Sequence, residues 1–504
     1  MSKKRSKDQQ PRGSPAAPDD SARKRPRRSS STAAGAPRSA KGTAPSRRPA
    51  AQNEAKPAEK KGRIEQPELS AEVLGRLPKY ARGQGNSTKK VTDKKLKANL
   101  NKAEVRFDDA AKRAARAEVL LTEEAGFLEA EGMERTYKFT QKQLSEHLDV
   151  GTKKKLLNLR LDTFGPYNLD FTRNGRHMLV AGRKGHVATF DWHMGRLASE
   201  IQLKETVRDA VWLHNEMYHA VAQKKYVYIY DHRGAEIHCL KKHIEVNKMQ
   251  FLPYHFLLAS VGNAGYLKYQ DTSTGQLVAE HRTRLGRCDT MTQNPTNAII
   301  HLGHANGTVT LWSPSVSTPL VKMLTHKGPV NAVAVDLSGK YMVTSGFDGN
   351  LNIWDLRTYK QLQYYFTPTP AACLSISQRG LLAVAYGPNI SVWKEPFRTK
   401  QLSPYMSHLQ PGTRVEDMHF CPFEDVLGFG HSSGVSTIVV PGAGEPNFDA
   451  LEANPFQTAR QRQEAEVKAL LDKIQPEMIT LDPNLVGKVV EEAKPVPQAE
   501  KRKR

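Results

Sequence analysis

The chain has 504 residues, with 75 Lys and Arg against 52 Asp and Glu and a formal net charge of +23. More than half of that excess, +13, sits in residues 1–63; residues 64–160 carry +5, 161–441 carry +6 and 442–504 carry −1. This balance favours polyanionic partners, and three other classes are excluded: MSKKRSKDQQ has no apolar secretory core, no run reaches the roughly 18–20 apolar residues of a bilayer span, and the widely spaced Cys239, Cys288, Cys373 and Cys421 form neither a disulfide frame nor a zinc spacing.

In residues 1–63 Pro, Ser, Ala, Arg and Lys dominate, and Ile64 is the first Ile, Leu, Val or Phe. Such a segment cannot bury enough apolar surface to offset its ordering entropy, which predicts a disordered basic tail. Its clusters Lys3, Lys4, Arg5 and Arg23, Lys24, Arg25, Arg27, Arg28 have the composition of nuclear import signals or RNA-contacting patches, and Lys501, Arg502, Lys503 and Arg504 repeat the theme at the other end. Residues 64–160 read as a helical extension. Over 89–125, apolar residues alternate at four and three positions through Leu96, Leu100, Phe107 and Leu121, with alanines between. That spacing predicts one long helix of about 55 Å, docked on a neighbour along this stripe.

From 161 to 441 the texture changes to short β-like runs. Seven of them close at Phe190, Tyr230, Gln270, Trp312, Trp354, Trp393 and Ile438, a period near 40 residues. This is the signature of a propeller with four strands in each blade, so the fold class is mainly β, a seven-bladed WD-repeat β-propeller. A glycine five residues before the closing position (Gly185, Gly265, Gly307, Gly349) suits a tight turn into that strand. The fifth unit is the clearest and closely resembles a WD repeat; His326, Thr344 (or Ser345), Asp348 and Trp354 match the set that locks such a blade by hydrogen bonds. In this context His326 and Asp348 are structural, not a catalytic pair. The string Gly430-His431-Ser432-Ser433-Gly434 matches a nucleophile elbow in spelling, but a strand-like run follows it where the elbow needs a helix. No phosphate loop or metal-ligand spacing occurs, so neither an enzyme nor a cofactor is expected. Arg282, Arg284 and Arg287, close together before the fourth unit, are a candidate RNA-contacting loop. Residues 442–504 form a C-terminal extension with a helix predicted over about 457–474, ended by Gln475-Pro476, and the basic end.

Three stretches carry a closer resemblance: Gly165–Arg176 with Val180–His186, Asn215–Asp231, and Phe448–Glu464. Together they resemble the BING-four, or U-three-protein-seven, type of nucleolar WD-repeat protein, over roughly residues 85–485. The resemblance implies a non-enzymatic scaffold subunit of the small-subunit processome. Its partners would be pre-ribosomal RNA, the U-three small nucleolar RNA particle and other processome proteins, in the nucleolus, with no membrane and no small-molecule substrate. The alternative from the propeller alone is an adaptor for chromatin or ubiquitin-ligase complexes in the nucleus.

Overall fold

The computed structural model describes residues 71–83, 91–118 and 124–481. Seven four-stranded antiparallel sheets follow one another around a ring. Blades 1 to 6 span 167–202, 207–240, 246–282, 288–324, 330–366 and 373–409. The seventh is built differently: its three inner strands come from 415–439, and its outer strand is Asn158–Arg160, paired antiparallel with Gly434–Val439. The ring therefore closes on a segment just ahead of the expected start at 161.

Alternation within the strands places one apolar face of each blade against the next. Leu179, Val187 and Val221 of blades 1 and 2 share one buried cluster, and Trp312, Val330 and Trp354 lie in another spanning blades 3 to 5. Four aligned turn glycines have φ of 104°, 67°, 79° and 74°. At Gly307 a Cβ would lie 2.1 Å from the His326 carbonyl oxygen, so no other residue fits there without a backbone shift.

A recurring irregularity shapes the central opening. In blades 2, 3, 4, 5 and 7 the first strand carries a register shift, leaving one extra residue: Arg208, Asn247, Asp289, Asn331 and Glu416. A bulge re-aims the side chain it inserts, and all five line the cavity at the ring's centre. Neighbouring blades are also clasped by polar side chains. Leu169 N–H donates to Asp417 (3.3 Å), Trp212 N–H to Asp170 (2.9 Å), Met249 N–H to Asp209 (2.8 Å) and Phe420 N–H to the Ser375 hydroxyl (3.3 Å).

Outside the ring are helices α1 (Ala71–Tyr80), α2 (Lys94–Ala117), α3 (Gln141–His147), the short α4 (Val150–Lys153) and α5 (Ala459–Leu471). The long helix expected over 89–125 is shorter at both ends. It starts where the Asp93 carboxylate accepts from Lys95 N–H at 2.8 Å, and residues 124–131 are not helical. Its packing line is rotated from the expected stripe. Ala111 and Ala115 are buried, whereas Leu96 and Phe107 are 44% and 47% exposed, Leu100 is half-buried, and Leu121 lies outside the described residues. Lys79 pairs with Glu118 (3.1 Å) and Arg82 with Glu104 (3.2 Å), and the Arg82 guanidinium stacks 4.5 Å from the Phe107 ring.

Candidate functional site

In blade 5 the four WD residues come together. The Trp354 indole N–H donates to the Thr344 hydroxyl at 3.1 Å, His326 Nε2 lies 2.9 Å from the same oxygen, and His326 Nδ1 lies 3.1 Å from the Asp348 carboxylate. One assignment satisfies every donor: Thr344 O–H donates to Nε2, and Nδ1–H donates to Asp348. Burial holds the imidazole below its ordinary range despite Asp348, so the ring is neutral and the set is a strut.

Blade 3 contains a second such strut that its degenerate sequence conceals. His243 Nδ1 lies 2.6 Å from the Ser260 hydroxyl, and Nε2 lies 2.7 Å from the Gln270 carbonyl oxygen. Ser260 and Gln270 stand where Thr344 and Trp354 stand two units later. Ala264 occupies the Asp348 place, so the ring turns Nδ1 toward the serine instead. Burial pushes His243 down to about 4. The signal available in the sequence was the shared offset of 84 residues between Ser260 and Thr344 and between Gln270 and Trp354. A search for Trp-Asp endings passes over it.

The central opening holds two adjoining cavities of about 750 and 440 Å³, which share Arg287, Asp289, Asn331, Ala372 and Glu416. Three of the five cations that line it are paired with carboxylates, and the other two are Arg183 and Arg208. Arg287 pairs with Asp289 (2.8 Å), Arg414 with Glu416 (3.6 Å) and Lys248 with Asp209 (2.9 Å). The arginine loop does not act as one cluster: Arg282 lies 5.9 Å over the Tyr266 ring, Arg284 takes a φ of 57°, and Arg287 turns into the opening. The Gly430–Gly434 string is a hairpin turn, with His431 paired to Gly434. Among the described residues, no group of His, Cys, Asp and Glu could hold a metal ion. The basic clusters at 3–28 and 501–504 lie outside the described residues.

The opposite face of the ring, formed by the turns between first and second and between third and fourth strands, is strapped by both extensions. On the N-terminal side the Gln141 amide mimics a strand partner, donating to Val439 O and accepting from Val439 N–H, both at 3.0 Å. The C-terminal strap begins where Asp425 accepts from Gly442 and Gly444 N–H (3.0 and 2.9 Å). It continues past blade 1, where Arg173 contacts Glu452. At blade 2, α5 docks through polar groups, Glu466 on His214 (2.9 Å) and Asn215 (3.2 Å), and Arg462 on Glu216. Ile474 N–H then donates to Tyr254 O of blade 3 (3.0 Å), and Ile479, 2% exposed, enters the cluster that holds Trp312 and Trp354. Helix α5 is shorter than the expected 457–474. Its apolar residues Val467, Leu470 and Leu471 are 58%, 42% and 81% exposed.

Fold and site together define a WD-repeat β-propeller whose two extensions are fastened across one face. Residues 317–355 match the WD domain, G-beta repeat, and residues 404–482 match the BING4CT (NUC141) domain. The latter match begins before the last blade and ends at the strap. The chain is 49% identical over 427 residues to U3 small nucleolar RNA-associated protein 7 of Saccharomyces cerevisiae, covering 81% of this chain and 77% of that protein. It is 48% identical to WD repeat-containing protein 46 of Homo sapiens, over 78% of this chain and 65% of the human protein. The Caenorhabditis elegans protein of the same name is 44% identical, over 82% and 71% respectively. The chain belongs to the BING-four, or U3 small nucleolar RNA-associated protein 7, family.

Proposed function

We propose that this protein is a non-enzymatic scaffold subunit of the small-subunit processome, supporting pre-rRNA processing and small-subunit assembly in the nucleolus. The observation that carries the reading is the 49% identity to a protein named for its association with U3 small nucleolar RNA, which extends over 81% of this chain. The physical character of the molecule supports it. A rigid ring with strapped extensions offers several fixed binding edges, and its buried histidines serve as struts. In this reading pre-ribosomal RNA, the U3 particle and neighbouring processome proteins are the partners. The basic clusters at Lys3–Arg5, Arg23–Arg28 and Lys501–Arg504 serve nuclear import and loose phosphate contact. Arg282 and Arg284 supply a minor contact, because Arg287 is engaged by Asp289.

Depletion of the protein in growing cells tests the proposal. Early pre-rRNA cleavages should remain incomplete and small subunits should become scarce, with both defects restored by the intact chain. Normal pre-rRNA processing after depletion overturns it.

A further inference from the structure

We propose that the solvent face of α2 is a phosphate-binding ridge for double-helical RNA. The inference rests on the RNA-particle reading above, and names the surface that grips the nucleic acid. Seven of the eight Lys and Arg residues of α2, all but Lys97, fall within an arc of about 120° at 100° per residue. Ala111 and Ala115, its buried positions, lie on the opposite side. The carboxylates of Glu104 and Glu118 are engaged by Arg82 and Lys79. Cations therefore face outward, while Glu104 of the helix and Glu118 at its C-cap are taken up by basic residues of the preceding segment.

Lys95, Lys102, Arg106 and Arg113 form the spine of the ridge. They are exposed and have no charged partner among the described residues. They rise along about 27 Å of a straight axis. One carboxylate, Asp109, and one apolar side chain, Val105, share the arc, and no aromatic residue does.

Each feature narrows the partner. A straight row of long cationic side chains matches the dense, regularly spaced charge of a duplex. Single strands are held largely by stacking bases on aromatic rings, and this face offers none. A protein interface of comparable length would have an apolar, often aromatic, centre, whereas Val105 is the lone large apolar side chain here. The deep, narrow major groove of A-form RNA does not admit a helix, so the ridge lies across the backbone and reads shape, not sequence.

The test uses the full chain and an RNA hairpin with a stem of about 16 base pairs of arbitrary sequence. Binding is measured against salt for the parent, for Lys95→Gln/Lys102→Gln/Arg106→Gln/Arg113→Gln, and for a control with as many exposed propeller residues neutralised, Lys224→Gln/Lys225→Gln/Arg233→Gln/Lys327→Gln. The ridge variant should bind at least about tenfold more weakly near 0.1 M salt, with the log–log salt slope reduced by roughly 3–4. The control should change much less, and circular dichroism should be the same for all three. If the fourfold variant folds poorly, Lys102→Gln/Arg106→Gln should show about half of the slope change.

An unchanged slope, or an equal loss in the control, overturns the ridge. Equal weakening on single-stranded RNA overturns its assignment to a duplex. Tight binding of polyglutamate by the parent, lost in the ridge variant, reassigns it to acidic proteins. The readout is independent of pre-rRNA cleavage, so a failed ridge leaves the processome reading standing, and a failed depletion experiment leaves the measured duplex affinity as it is.

Discussion

At the scale of single residues, the two histidine struts show how a degenerate repeat keeps its blade. Trp354 is 9% exposed and ties Thr344 of the second strand to the third strand of blade 5. Its replacement by alanine removes a large buried ring and should cost about 3–5 kcal/mol, read from urea unfolding. An unchanged midpoint would contradict its place in the core. His243→Ala leaves the Ser260 hydroxyl and the Gln270 carbonyl without their buried partner, for about 1–3 kcal/mol. The two losses should add, because the struts belong to different blades and share no partner. The blade 5 set could be read from the sequence because all four residue types are present at their usual spacing. The blade 3 set could not be read from residue type, because hydrogen bonding needs a donor and an acceptor in the right places, and glutamine supplies there what tryptophan supplies elsewhere.

Among the elements, the period near 40 revealed the blades because every unit repeats the same strand alternation. The extensions repeat nothing. Their attachment combines isolated polar contacts, such as the Gln141 amide on Val439, with isolated apolar anchors, such as Leu144 and Ile479, and neither kind makes a period. Helix α2 packs within this chain on a different line from the one its leucines mark. A run of leucines and alanines suggested an apolar docking stripe, but small alanines at 111 and 115 form the line that packs in, and bulkier Leu96 and Phe107 remain at the flank. Gln141→Ala should loosen the N-terminal strap, giving faster proteolysis between 124 and 157 with little change in the melting of the ring. Ile479→Asp should do the same for residues 457–481, since it puts a charge into the cluster that holds Trp312. Limited proteolysis followed by mass mapping distinguishes the two. Cleavage elsewhere in either variant would show that the straps are not separately fastened.

For the molecule as a whole, burial sets an acid limit. Histidines 219, 243 and 304 are held down to about 4 and His301 to about 3, with desolvation the largest cause in each case. The unfolded chain binds protons at these positions below about pH 6.5 and the folded chain does not, so stability declines as pH falls from 6.5 toward 4. Asp170, pushed up to about 6 by burial, acts in the opposite sense between its ordinary value near 3.8 and 6, and offsets part of one histidine. The net slope should be about 1.4 kcal/mol per pH unit for each uncompensated proton. Urea midpoints at pH 7.5 and 5 check the sign, and a midpoint that rises on acidification would contradict it. Ring closure gives a second test. A chain starting at residue 124 retains Asn158–Arg160, while one starting at 161 leaves Gly434–Val439 as an open edge. The first should melt like the parent, and the second should melt lower and self-associate on size-exclusion chromatography.

That same closure sets a schedule for biosynthesis. Arg160 pairs with Gly434, so 274 residues must be made after the closing strand before its partner exists. At translation rates of about 5–20 residues per second, the wait is roughly 14–55 s. Throughout it the nascent ring stands open, and a chain that stops short never seals. The seal thus requires that all seven blades have been synthesised, and an interrupted product is left with an unpaired strand edge open to pairing with another chain.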